Sequence, residues 1–438
     1  MSAPVKTFYS WGRRASSGTR SANLAWMDDA LPAGEVPFLP YGLGRSYGDS
    51  CLLDHGFLVE TRQLNRLISF DKKTGLLVCE AGCSLAQLLE FCVPRGWFIP
   101  VTPGTKFVTV GGCVANDVHG KNHHRAGTFG CFVRRIGLRR SDGTVRVCSP
   151  AENTGLFRAT IGGLGLTGVI VWVELQLRGI RSPLIRQKLE PLHGFDAFFE
   201  VARRQEADFE YSVAWLDATH RGAPRGLFIA GNHVEDDGPL SAGVHPQPRF
   251  KIPRELPDHM VNAWSLRLLN TGYYLANASR NAQRDVPYNG FFYPLDAVAD
   301  WNLAYGRKGL IQYQFVVPLE SGPEALRETL GKVQSARQAS FLTVVKLFGA
   351  VESPGLLSFP RPGATICFDL PNLGAATDRL LDDLDRTVFA CKGALYPAKD
   401  YRMSRDAFER SYPRHAEFKS LIDPRCASTF SRRTGLTA

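Results

Sequence analysis

The stretch Tyr41-Gly42-Leu43-Gly44-Arg45-Ser46-Tyr47-Gly48-Asp49 places three glycines within seven positions. Glycine backbone takes conformations barred to other residues, so successive amides here can turn into one concavity and cradle a pyrophosphate. It is not a P-loop, because no Gly-Lys-Ser/Thr follows, and its spacing is not that of G-x-G-x-x-G. Alone, it is explained as well by a tight surface turn. A second glycine-rich stretch changes that balance: Gly104, then Thr109-Val110-Gly111-Gly112, then Asn116-Asp117-Val118-His119. Two backbone-rich loops separated by a strand–helix unit could grip opposite ends of one dinucleotide. His119, His123 and His124 invite a metal reading. Gly120 weakens the helix that would align the first two, and no nearby carboxylate completes a ligand set. Polar pocket lining, or hydrogen-bonded loop histidines, fits them better.

Another group of polar residues lies far downstream, on three strand-like runs at Ile311–Val317, Phe341–Phe348 and Ala364–Leu370. Side chains alternate across a strand. Gln312 and Gln314 therefore oppose Ile311, Tyr313 and Phe315, while Thr365, Cys367 and Asp369 oppose Ala364, Ile366 and Phe368. A sheet with one oily and one polar face commonly just meets water. Lys346 breaks that pattern, because it shares its face with Leu342, Val344 and Phe348. A lone ammonium there must snorkel, pair or lose its charge, which makes it a pocket candidate.

The elements that must position these residues are legible in outline. Gly75 to Ala81 reads as a buried strand. Ser84 with Gln87 forms a capping-box pattern ahead of Leu85, Leu88, Leu89 and Cys92, and Gly96 ends the helix. Asp142-Gly143 between two apolar runs predicts a hairpin, and Leu166 to Leu177 a long strand. Beyond residue 182 the character changes. Phe195, Phe198, Phe199 and Ala202 mark an amphipathic helix, with further helices near Glu324–Arg337 and Thr377–Cys391. Glu235 to Asp258 reads as an aperiodic, mobile loop rich in proline and charge. Strands mixed with amphipathic helices predict an α+β lobe with helices on one side of a sheet.

With 438 residues, 44% hydrophobic and 21% charged, the chain has the make-up of a globular protein of two or three domains. No run reaches the roughly 20 apolar residues of a membrane span, and the amino terminus lacks the apolar core of a signal peptide. Ten cysteines, none in a C-x-x-C pair, argue against a disulfide scaffold or zinc knuckle and suit a reducing cytoplasm. The net charge of +10 invites nucleic acid, an anionic membrane or a phosphorylated ligand, with a solvated surface as the plain alternative. No nucleic-acid motif accompanies it, nor are aromatics interleaved with the basic cluster between Lys121 and Arg146. Nucleic acid is therefore not expected.

At these residues the sequence resembles the FAD-dependent oxidoreductases of the vanillyl-alcohol-oxidase type, and within them is similar to the decaprenylphosphoryl-β-D-ribose oxidases. The matching text is GLGRSYGD, VTPGT, VTVGG, NDVHGKNHHRAGTFG and GGLGLTGVI, then QYQFVVP, FLTVVKLFG, ICFDLP and YPAKD. These pieces run in the family's order over nearly the whole chain.

The resemblance implies a PCMH-type FAD-binding domain at residues 1–182, an inserted α+β substrate-binding lobe on an antiparallel sheet at 183–393, and a return to the flavin domain at 394–438. The cofactor would be held by Tyr41 to Asp49, Gly104, Thr109 to Gly112, Asn116 to His119, Ile170 and Tyr396. Many relatives tether FAD to a histidine just before the loop serine; Arg45 stands there, which implies non-covalent FAD. Gln312, Gln314, Lys346, Cys367 and Lys399 match positions lining the substrate pocket, with Tyr47 and His119 from the cofactor side. Lys399 would orient the reacting hydroxyl or stabilise charge on the reduced flavin, and Cys367 would be a packed pocket thiol. Thr365 departs from the family's asparagine beside that cysteine. It could alter which sugar hydroxyl is recognised.

The implied activity is oxidation of a secondary hydroxyl of a sugar, with hydride passing to flavin N5. The sugar would be a polyprenyl-phosphate-linked pentose, as in decaprenylphosphoryl-ribose 2'-oxidation for cell-envelope polysaccharide. A partner short-chain reductase would complete an epimerisation, and a peripheral contact with the membrane face is compatible with such a substrate. The alternatives are a sugar-lactone (arabinono-lactone-like) or alditol oxidase using oxygen, and a catalytically inactive flavin-binding interaction protein.

Overall fold

The computed structural model describes residues 4–438 apart from 221–223, 237–239, 241–247, 259, 279–282, 339 and 341. Near the amino terminus, a parallel sheet has the strand order Arg20–Asn23, Phe57–Glu60, Phe38–Tyr41. The strand ending at Tyr41 runs directly into the first glycine loop. A five-stranded antiparallel sheet follows, in the order Leu67–Asp71, Leu76–Glu80, Val169–Gln176, Val133–Arg139, Val145–Cys148. The local signals act as their chemistry requires. Ser84 Oγ accepts from the Gln87 amide at 3.2 Å and Gln87 Oε1 accepts from the Ser84 amide at 2.8 Å, starting the helix Leu85–Cys92. Gly96 ends that turn with φ +81°, and Gly143 takes φ +83° in the predicted hairpin.

The larger sheet has eight strands, all neighbours antiparallel, in the order Arg284–Pro287, Leu184–His193, Arg225–His233, Tyr211–Leu216, Thr343–Phe348, Gly363–Pro371, Leu310–Val317, Ala394–Leu395. Its apolar face, with Val345, Ile366, Phe368 and Phe315, shares one core with Phe198, Leu326 and Leu384 of the helices Phe195–Gln205, Gly322–Ser335 and Ala375–Ala390. Each such large side chain contributes roughly 1.5–3 kcal/mol by leaving water. The register then fixes the opposite face. Gln314 lies across from Cys367, Gln312 across from Asp369, and Lys346 across from Thr365. Directly paired residues point the same way, so the polar side chains of three strands converge on one surface.

The carboxy-terminal tail runs back to the parallel sheet. The Phe38 amide donates to Arg425 O at 2.8 Å, and the Ala427 amide to Phe38 O at 3.1 Å. Two features depart from the sequence pattern. The helix Ala263–Ala278 carries little amphipathic signal in the sequence, because its apolar residues lie on both faces, Leu266 and Tyr274 inward and Trp264, Leu268 and Leu275 outward. Within the expected loop 235–258, Phe250–Lys251 is a short strand paired with Val298–Ala299. Much of the rest of that loop, and Phe341 of the expected strand Phe341–Phe348, lie outside the described residues.

Candidate active site

The two glycine-rich stretches meet. A Cβ on Gly42 would stand 2.5 Å from Thr109 Oγ1, and that same oxygen caps the helix Val110–Ala115 by accepting from the Gly112 amide at 3.1 Å. Gly44 has φ +61°, the alternation that turns successive amides inward. The amides of Leu43, Gly44 and Arg45 donate to no protein acceptor among the described residues, whereas the Ser46 amide is directed to Cys51 Sγ. Tyr47 and Asp49 amides instead tie the loop to Ala398 O (2.9 Å) and Asp400 O (3.4 Å). Arg45 lies with its guanidinium over the Trp11 ring at 3.9 Å, and its buried Nε has no partner.

A cavity of about 350 Å³ separates these loops from the polar face of the large sheet, within the roughly 300–1,000 Å³ range of small-molecule sites. From the loops it is lined by Gly42 to Tyr47, Gly104, Thr109, Gly111, Gly112, Asn116, Val118 and His119, with Ile170 from the five-stranded sheet. Gln312, Gln314, Lys346 and Cys367 line it from the facing sheet, and Tyr396 and Lys399 from the carboxy-terminal segment. The remaining expected cofactor residues stand behind that lining. Tyr41 donates to Tyr9 O at 3.0 Å, Asp49 pairs with Arg433 at 2.7 Å, and a Cβ on Gly48 would sit 1.6 Å from Asp400 O. Val110 belongs to the core. Asp117 is fully buried, at φ +40°, and accepts from the Gly130 amide at 2.8 Å and from Ser353 and Ser358. Its carboxylate holds the loop and does not face the cavity.

The polar lining is tightly connected. Lys399 Nζ lies 3.4 Å from Cys367 Sγ and 5.8 Å from the centres of both the Tyr47 and Tyr396 rings. Gln314 Nε2 approaches His119 Nε2 at 3.3 Å and donates to Thr365 Oγ1 at 3.1 Å. Gln312 donates to Asp369, whose carboxyl burial pushes up to about 6. Burial, aided by the Lys346 and Lys399 cations, holds His119 neutral, well below the usual imidazole range. Lys346 Nζ donates to Gly120 O at 3.4 Å. Burial, and then Lys399, push its ammonium down to about 7. Burial raises the Cys367 thiol to about 11. Thr365, the residue that departs from the family's asparagine, donates its hydroxyl to Phe315 O at 2.7 Å while receiving Gln314. It reaches the cavity through Gln314.

Trp11, Asp296, Trp301 and Leu342 also line the cavity. They come from three separate segments, and only Leu342, which shares the Lys346 strand face, is marked by anything local in the sequence. The basic cluster is largely absorbed by structure: Arg135 pairs with Glu174, Arg140 with Asp423, and Arg125 donates to Glu206 O. Among the described residues no His, Cys, Asp or Glu group could hold a metal ion. The cavity does fit FAD. Free amides and the buried, unpartnered Arg45 Nε face it beside the glycine loop, and His119 Nδ1 and Gln314 Oε1 are buried without partners at the far end.

A family model of the FAD binding domain matches residues 29–149, and with that fold around that cavity the chain is an FAD-dependent oxidoreductase. Over 99% of its length it is 34% identical to the decaprenylphosphoryl-β-D-ribose oxidase of Mycolicibacterium smegmatis, 98% of which is covered. It belongs to that family. An uncharacterised Streptomyces coelicolor protein is 34% identical over 81% of this chain and all of its own. A putative D-arabinono-1,4-lactone oxidase of Neurospora crassa is 25% identical over 65% of this chain and 51% of its own.

Proposed function

We propose that the protein oxidises a secondary hydroxyl of a pentose carried on a polyprenyl phosphate, in the first half of an epimerisation that a partner reductase completes. One observation carries this reading: Gln312, Gln314, Lys346, Cys367 and Lys399 face the glycine loops across a single cavity. FAD, held there non-covalently, would supply the acceptor for the hydride, which carries both electrons of the oxidation. Lys346, poised near 7, takes the hydroxyl proton on Nζ. Lys399, fixed between Cys367 and the Tyr47 ring, orients the reacting hydroxyl and offsets negative charge as it develops. Gln312 and Gln314, anchored on Asp369 and Thr365, hold the sugar's other hydroxyls. Neutral His119 serves as hydrogen-bonding pocket wall and carries no charge.

In the same reading residues 1–182 and 394–438 form the flavin domain and 183–393 the substrate lobe. The similarity to the lactone oxidase supports a second reading, in which a lactone or alditol is oxidised and oxygen is the acceptor. Anaerobic mixing with polyprenyl-phosphoryl pentoses, lactones and alditols tests both. Bleaching of the yellow band by the lipid-linked pentose, with slow reoxidation in oxygen, is the expected result. Fast reoxidation after a lactone favours the second reading, and no bleaching by any of them rejects both.

A further inference from the structure

The helix Ala263–Ala278 buries Leu266, Asn270 and Tyr274 and turns much of its apolar surface outward. Trp264 is 83% exposed, Leu268 76% and Leu275 64%, with Leu269, Tyr273 and Met260 also exposed. Trp264, Leu268 and Leu275 fall within an arc of about 40° at 100° per residue. From Met260 to Ala278 there is no acidic residue, and the one charge is Arg267. Exposed Arg249 and Arg254 precede the helix and exposed Arg284 follows it. The flanking acids are engaged elsewhere: Glu255 pairs with Arg13, Asp285 with Arg186, and Asp258 accepts the Arg307 amide.

This surface is joined to the cavity. Tyr274 packs in one cluster with Trp215, Leu227 and Leu342, and Leu342 lines the cavity. Phe250, 70% exposed, lies on the strand paired with Val298–Ala299, between the cavity residues Asp296 and Trp301.

We infer that the outward face of Ala263–Ala278, together with Phe250, docks on an anionic lipid bilayer beside the cavity wall. An apolar stripe of Trp and Leu rimmed by arginine, on a chain of net charge +10, is the composition of a helix lying in the headgroup plane. A patch of this kind is unusual on a surface that meets only water. The inference deepens the lipid-linked substrate reading by naming where the lipid would be met, yet its test needs neither substrate nor turnover.

The flavin-loaded protein is sedimented with vesicles of phosphatidylcholine alone and of phosphatidylcholine with roughly one-third phosphatidylglycerol. The wild type is expected to bind the anionic vesicles, and more weakly as salt rises. The combined variant Trp264→Ser, Leu268→Ser, Leu275→Ser should bind about tenfold or more weakly while keeping its yellow flavin, which reports that it is folded. Arg267→Glu with Arg284→Glu should abolish the preference for anionic vesicles. Absence of wild-type binding overturns the inference, as does unchanged binding by the serine variant. So does a wild-type dimer that the serine variant dissociates while vesicles stay unbound, which would assign the face to a second copy. Anaerobic bleaching by substrate with no vesicle binding would leave the proposed reaction standing and reject this surface alone.

Discussion

Lys399 and Lys346 face one cavity but occupy different electrostatic positions, and their variants should fail differently. Lys399 Nζ touches Cys367 Sγ and sits above the Tyr47 ring, so its removal deletes a fixed cation without opening the core. Lys399→Ala should keep FAD yet lose about a hundredfold or more in the rate of anaerobic flavin reduction, the usual cost of deleting one such electrostatic partner. Normal bleaching by that variant would refute the role. Lys346 is pushed down to about 7 by burial and by the Lys399 charge. Its useful form as a base is the neutral amine, so kcat/KM should rise as pH climbs through about 7 and level off above it. Lys346→Met should lower kcat/KM and flatten that limb while leaving the flavin spectrum in place. A limb that survives in Lys346→Met would move the proton to another group. Both lysines are legible in the amino-acid sequence, but by different routes: Lys346 by its apolar strand neighbours, Lys399 through family resemblance. Thr365 is legible only as a departure. Its hydrogen bonds to Phe315 O and from Gln314 depend on strand register, which alternation alone does not supply.

At the scale of elements, the glycine loops divide into positions that hold the fold and positions that face the cavity. A Cβ at Gly48 would meet Asp400 O at 1.6 Å, backbone against backbone, whereas Gly104 has nothing within 4 Å of its added Cβ. Gly48→Ala should therefore destabilise the apo-protein by about 3 kcal/mol and loosen the loop from its carboxy-terminal support. Gly104→Ala should leave apo stability within about 0.5 kcal/mol and weaken FAD binding instead. Denaturant midpoints of the apo-proteins and flavin titrations separate the two effects; reversed outcomes would mean that the cofactor lies elsewhere in the cavity. Short-range signals read correctly wherever one element is self-contained. The Ser84–Gln87 box, the Asp142-Gly143 hairpin and the helix beginning at Phe195 are of that kind. The strand order of the large sheet is not legible. Its neighbours Tyr211–Leu216 and Thr343–Phe348 are separated by more than a hundred residues of chain, and pairing over that span depends on shared burial and not on any local pattern. The helix Ala263–Ala278 escapes the sequence pattern for a different reason: apolar residues occupy both of its faces, Leu266 and Tyr274 inward and Trp264, Leu268 and Leu275 outward, so no polar face sets off a single apolar stripe.

Across the whole molecule, the flavin site joins distant parts of the chain, since Tyr47 and Asp49 amides bind Ala398 O and Asp400 O while Arg433 reaches Asp49. That convergence follows from the order of the motifs, because QYQFVVP and YPAKD supply lining residues that only a returning chain can bring to GLGRSYGD. How the cofactor is attached is also a property of the assembled cavity, because every nucleophile that faces it must be weighed. The position before Ser46 is Arg45, whose guanidinium stacks on Trp11 and cannot bond to a flavin. Three cysteines line the cavity, Cys51, Cys113 and Cys367. Burial pushes the Cys51 thiol up to about 12, that of Cys367 to about 11 and that of Cys113 higher still. The thiolate is the attacking form, so none of the three is poised to attack at neutral pH. His119 is the histidine that lines the cavity, and its Nε2 is engaged by Gln314 at 3.3 Å. FAD should therefore leave the chain when the protein is precipitated in mild acid, giving a yellow supernatant and an intact polypeptide mass equal to that of the sequence alone. A yellow pellet, or a mass heavier by one flavin, would show a covalent bond and send the search for its attachment point to His119 first.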